Sequence, residues 1–218
     1  MKKNTDCKVL EIGCGTGYVL SGLSKKFDYK LMGAEIHLEG LRYAQQRLPL
    51  VEFIQLDATR MPFKSEFDAI GAFDVLEHIH EDELVIKNIF SALKEGGFLF
   101  VTVPQYMFMW SYLDDIAFHK RRYNRKELTE KIERAGFKIK YVGSFVFILF
   151  PLMFMARLFK KKQVLKEGFE SNREMYRELY LSPFVNSLFK FFMKADQFLI
   201  KKGVSLPFGG SLILVAEK

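Results

Sequence analysis

The chain has 218 residues, of which 49% are hydrophobic and 27% charged, with a formal net charge of +7. That length and apolar content suit one sizeable core with an elaboration and argue against two full domains. Cys7 and Cys14 have neither disulfide-framework nor metal-site spacing, and Met1 to Lys8 is short, polar and charged rather than a secretory leader, so a reducing, cytoplasmic setting is expected.

Residues 9–20, V-L-E-I-G-C-G-T-G-Y-V-L, read as a buried strand, a glycine turn and the start of a helix. Gly13, Gly15 and Gly17 let the backbone turn sharply and approach a ligand closely. Glu11, just before the turn, suits a ligand with positive charge or with amine and hydroxyl donors better than a pyrophosphate. Tyr18 stands where the dinucleotide fingerprint wants its third glycine. Strands are then predicted over residues 31–36, ending in the acid Glu35, over 51–56, ahead of Asp57 and Ala58, and from 67 towards Asp74. Further strands follow over 93–104, 137–143 and 211–217. Helices are predicted over 21–27, 38–48, 82–93 and 125–135, the last stopped by Gly136. Apolar strands alternating with amphipathic helices predict a parallel sheet covered on both faces.

The Gly-x-Gly-x-Gly turn preceded by an acid, followed by acids at successive strand ends, resembles the class I S-adenosylmethionine-dependent methyltransferases over residues 8–143 and 211–218. The resemblance implies an α/β fold: a Rossmann-like, doubly wound seven-stranded sheet with helices on both faces and an antiparallel last strand beside the sixth, to which this chain adds a helical insertion before that strand, where a short connection would do. It implies S-adenosyl-L-methionine as cofactor, held at the turn by Glu11, Gly13, Cys14, Gly15 and Gly17. Glu35 would take the ribose hydroxyls and Asp57 the adenine amino group, with Ile36 and Ala58 walling the ring. Phe73, Asp74 and Leu76 would face the methionine end. Each acid taken singly also has the reading of a helix cap.

The stretch from Asp115, D-x-x-x-H-K-R-R-Y-N-R-K, resembles the segment after the fifth strand in the bacterial methyltransferases that include the ubiquinone and menaquinone biosynthesis enzymes. In that group it lies on the substrate side. Arg121 and Arg122 are thus expected to bind an acidic group of the acceptor, and Tyr106 and Tyr123 to orient it. His119 is the candidate base, since imidazoles titrate near neutral pH, and Tyr123 is the second candidate catalytic residue. The sulfonium methyl is already activated, so positioning is the chief demand and a base serves only an acceptor that must lose a proton. Glu77, His78 and His119 are weighed as a divalent-metal set, but E-H-I-H is also a plain start to a helix and no metal is assigned.

Residues 1–143 and 211–218 are therefore read as the cofactor-binding domain and 144–210 as an insertion. The insertion opens with F-V-F-I-L-F-P-L-M-F-M-A, a run shorter than the about 20 apolar residues of a membrane span and one that Pro151 is expected to bend. It continues through Lys160, Lys161 and Lys162 to an aromatic and lysine-rich segment over 184–202. A packed lid or homodimer surface and contact with a membrane surface through 144–202 are the two readings. The second places the chain at the inner face of the membrane. Either one supplies an apolar roof suited to a small-molecule or lipid-linked acceptor methylated on oxygen or carbon. The alternatives are a non-catalytic S-adenosylmethionine-binding module tethered to a membrane or partner and, lower, a nucleic-acid methyltransferase, for which charge alone speaks.

Overall fold

In the computed structural model, which describes residues 6–159 and 182–218, seven strands form one sheet in the order β3-β2-β1-β4-β5-β7-β6. They are β1 Lys8–Ile12, β2 Lys30–Glu35, β3 Glu52–Gln55, β4 Phe67–Phe73, β5 Leu93–Pro104, β6 Lys138–Phe145 and β7 Ser211–Glu217. The first five pair in parallel, while β7 runs antiparallel between β5 and β6. Strand order reverses where β1 meets β4. Crossovers leave that point in opposite directions and open a crevice at the carboxyl ends of the strands.

The core follows from the pattern of the strands. Leu10 and Ile70 are fully buried on central parallel strands, and Leu99, Val101, Leu212 and Leu214 are fully buried on one face of β5 and β7, where burial alternates along the strand. Helices α1 Tyr18–Ser24, α2 Leu38–Arg47 and α3 Asp82–Ala92 link the strands, and α3 buries Val85, Ile86, Ile89 and Ala92 at helical spacing. The first helix starts three residues earlier than its apolar spacing predicts, because Gly17, at φ 72°, turns the chain straight into it. A short α4, Tyr112–Ile116, is closed by a capping box between Ser111 and Asp114, and α5, Arg125–Arg134, is capped by Asn124.

Within the insertion, α6 spans Phe150–Phe159 and α7 spans Pro183–Lys201. Pro151 lies in the first turn of α6, where its missing N–H costs nothing, so it starts that helix rather than bending an apolar run. Ser182 caps α7, with Pro183 as its first helical residue. The Lys160 to Lys162 cluster lies outside the described residues. Asp196 of α7 accepts the Phe147 N–H at 2.6 Å, tying the insertion to the end of β6.

Candidate active site

The turn after β1 is built by glycine where glycine is needed. Gly13 has φ +64°, and a Cβ there would stand 2.5 Å from Val75 Cγ2. Gly15, at φ +51°, has open space where its Cβ would be, so a ligand can lie against the peptide. Two hydrogen bonds hold the turn, Cys14 N–H to the Ala34 carbonyl (3.0 Å) and Gly17 N–H to the Cys14 carbonyl (2.8 Å).

Two acids flank this turn. Glu35 accepts from the Gly15 N–H through Oε2 and from the His37 N–H through Oε1, both at 3.0 Å, so one lone pair on each oxygen remains for a diol. Glu11 is buried with Oε2 lacking any hydrogen-bond partner, and burial pushes its carboxyl up to about 8 despite a hydrogen bond from the Leu20 N–H. Burial, then the charges of Glu11 and Glu35, push the Cys14 thiol up to about 12. An orphaned buried oxygen beside an open glycine backbone fits a ligand with an ammonium or hydroxyl donor.

The next two strand ends continue the crevice. Ile36 leaves half of its surface exposed, whereas Ala58 is buried. Asp57 takes the Thr59 hydroxyl (2.7 Å) and N–H (2.9 Å) on one oxygen, Oδ1, and these bonds hold its carboxyl below the usual range. Asp57 is therefore a cap, and its Oδ1 is committed to that role. After β4, Phe73 leads into Asp74 in the left-handed region at φ 54°, and Leu76 is buried. Asp74 accepts from the Thr102 hydroxyl at 3.1 Å, but burial outweighs that bond and raises its carboxyl.

On the far side of β4 lies a chain of polar groups. His119 Nδ1 is 2.9 Å from Asp114 Oδ1, and Arg122 Nε donates to the same oxygen at 2.7 Å. Burial acts to raise Asp114, but the bonds from Arg122 and His119 prevail and hold it low. The His78 and His119 rings meet edge to face at 4.7 Å, and burial followed by the His119 charge lowers His78. Glu77 is wholly buried, neither oxygen has a partner, and burial pushes it up to about 8. Ligand atoms of Glu77, His78 and His119 lie within 4.8 Å of one another, a grouping the sequence only permitted.

Three expected acceptor contacts are placed otherwise. Tyr123 is fully buried and its hydroxyl donates to Asp82 Oδ2 at 2.7 Å, so it braces the core instead of facing an acceptor. Burial and then the Asp82 hydrogen bond raise its phenol. Arg122 is buried against Asp114 and the Gln105 carbonyl, and Arg121 spends its terminal nitrogens on Asp82 and the His80 carbonyl. These arginines are satisfied by the protein itself and have been built into its scaffold.

Tyr106, at φ 64°, stacks on Phe108 with 4.9 Å between ring centroids. Phe150 and Phe154 of α6 extend this wall, meeting Tyr106 and Phe108 respectively at 5.9 Å. Sequence reading missed these two phenylalanines as site residues, although their i, i+4 spacing in an apolar run was the available signal. It also missed Arg157, which donates to the Met109 carbonyl and is lowered by burial and then by Arg122.

Residues 10–101 match the family described as "Methyltransferase domain". A probable S-adenosylmethionine-dependent methyltransferase of Mycolicibacterium smegmatis is 28% identical over 135 residues, 61% of this chain and 52% of that protein. A sterol 24-C-methyltransferase of Debaryomyces hansenii is 26% identical over 161 residues, 65% of this chain and 42% of that protein. Among solved structures, Haemonchus contortus phosphoethanolamine N-methyltransferase 2 bound to S-adenosyl-L-methionine aligns with TM-score 0.62 at 19% identity, over 98% of this chain and 49% of that one. The chain spans about half the length of the first curated relatives it matches.

Proposed function

We propose that this chain, whose residues 10–101 match a methyltransferase domain, is a class I S-adenosylmethionine-dependent methyltransferase that transfers a methyl group to an oxygen or carbon atom of a small-molecule or lipid-linked acceptor. One observation carries the reading: the unpartnered, buried Glu11 oxygen beside the open Gly15 backbone and the two acceptor oxygens of Glu35. Such a cradle recognises an ammonium and a ribose together. Ile36 and Ala58 supply the apolar slot for a purine.

When bound, the cofactor supplies a methyl group on a sulfonium, a carbon already open to displacement. The protein's part is placement. Glu35 and Gly15 fix one end of the ligand, and the Tyr106, Phe108 and Phe150 rings offer an apolar wall on the acceptor side. His119, oriented through Nδ1 by Asp114, leaves Nε2 to take a proton from a hydroxyl or acidic C–H. The sterol in the name of the Debaryomyces hansenii relative, a C-methyltransferase, supports the lipid-related end of the acceptor range.

Calorimetry with S-adenosylhomocysteine tests the cofactor half, and mass spectrometric detection of that product with quinone, phenol or lipid-linked sugar pools tests the transfer. Heat with the nucleoside is expected, as is turnover with an apolar hydroxyl acceptor. Binding without turnover in every pool replaces this reading with the non-catalytic module.

A further inference from the structure

The outer face of α7 carries a stripe that the cofactor site does not use. Phe184, Leu188, Phe191 and Phe198 fall within about 80° of arc on a helix of 3.6 residues per turn. The three phenylalanines are 79%, 66% and 60% exposed, well above what an isolated surface aromatic needs. Asp196, which anchors the helix to Phe147, lies about 120° of arc from the centre of that stripe. Exposed Lys190, Lys194 and Lys201 form a second stripe beside the first, and Lys202 sits 5.7 Å over the Phe198 ring. Leu152 and Met155 add exposed apolar surface on α6. Among the described residues no helix is long and apolar enough to cross a membrane.

We infer that this face docks on an anionic lipid surface, with the aromatic stripe set among the acyl chains and the lysines against the headgroups. Charge complementarity selects that occupant. A second copy of the chain would bring two lysine stripes together, whereas anionic headgroups neutralise one. Large rings flanked by lysines on a helix already held by its other side match the composition of an interfacial helix. The same insertion touches the site, since Phe150 and Phe154 of α6 pack on Tyr106 and Phe108. On the proposed methyltransferase reading, an acceptor dissolved in the bilayer would meet the site beside that aromatic wall.

The test is co-sedimentation of the full chain with phosphatidylcholine vesicles, with and without phosphatidylglycerol. Binding is expected only with the anionic lipid. Replacing Lys190 and Lys194 by Gln should weaken it about fivefold per residue, and F184S/F191S should abolish it. Calorimetric binding of S-adenosylhomocysteine by each variant shows that it is folded. No sedimentation with anionic vesicles, or unchanged sedimentation of F184S/F191S, overturns the inference. So does a dimer in analytical ultracentrifugation that F184S/F191S dissolves. Vesicle binding that persists while the wild-type chain gives no heat with the nucleoside would sink the methyltransferase reading and leave the docking surface standing.

Discussion

His119 and Asp114 are joined through Nδ1 and Oδ1 at 2.9 Å, and the same Asp114 oxygen also holds Arg122. One carboxylate thus orients the candidate base and neutralises a buried guanidinium. His119→Gln is expected to lower kcat about a hundredfold with little change in cofactor affinity. Asp114→Asn should cost stability as well, roughly 3 kcal/mol, because Arg122 is left buried without its charge partner. Steady-state kinetics with thermal denaturation on both variants separates the two effects. Equal kcat in His119→Gln and wild type removes the base.

Glu35→Gln keeps the shape of the side chain but loses one of the two oxygens that accept from Gly15 and His37. Cofactor affinity should fall by about ten- to a hundredfold, the worth of one charge-assisted hydrogen bond. Isothermal titration with S-adenosylhomocysteine reads this directly.

Gly13 and Gly15 should respond differently to alanine. At Gly13 the new methyl meets Val75 Cγ2 as well as an unfavourable φ, so stability should drop by about 2–3 kcal/mol, with partial rescue by Val75→Ala. At Gly15 only the backbone penalty of about 1 kcal/mol applies, and the methyl enters the open ligand space. Gly15→Ala is expected to lose binding out of proportion to its loss in melting temperature.

Glu77 gives a pH signature. Burial raises its folded carboxyl to about 8, so the folded state holds a proton that the unfolded chain releases near the ordinary carboxylate value. Its contribution is complete below that ordinary value and falls as pH climbs towards 8, by at most about 1.4 kcal/mol per pH unit for one proton. Urea melts of Glu77→Gln between those limits should show a flatter pH dependence than wild type. A wild-type curve that rises over the same window contradicts the assignment.

Tyr123→Phe tests the role assigned to a phenol sealed in the core. Losing the bond to Asp82 should destabilise by about 1–2 kcal/mol, while kcat per folded molecule stays within twofold. A large kcat loss at unchanged stability would return Tyr123 to the chemistry.

The fold was legible because strand and helix periods differ and the glycine turn and strand-end acids mark the ends of the strands. Glu11, Glu35 and Asp57 stand at successive strand ends, and no tertiary information was needed to see them. Roles after β5 were harder to read. The run from His119 to Lys126 shows charge but not partners, and the partners that claim Arg121 and Tyr123 sit on α3, some forty positions back. The aromatic wall was hidden for a similar reason. Tyr106 and Phe150 are distant in sequence, and the periodicity of each segment reveals an apolar face without its neighbour.

The register between Phe145 and Ser211 has an architectural consequence. The insertion leaves the sheet and returns to it at paired positions, like a cassette clipped between adjacent rungs. A cassette of different length set between the same two rungs would leave the pairing of the two edge strands in register, because both of its ends are pinned at one place on the sheet.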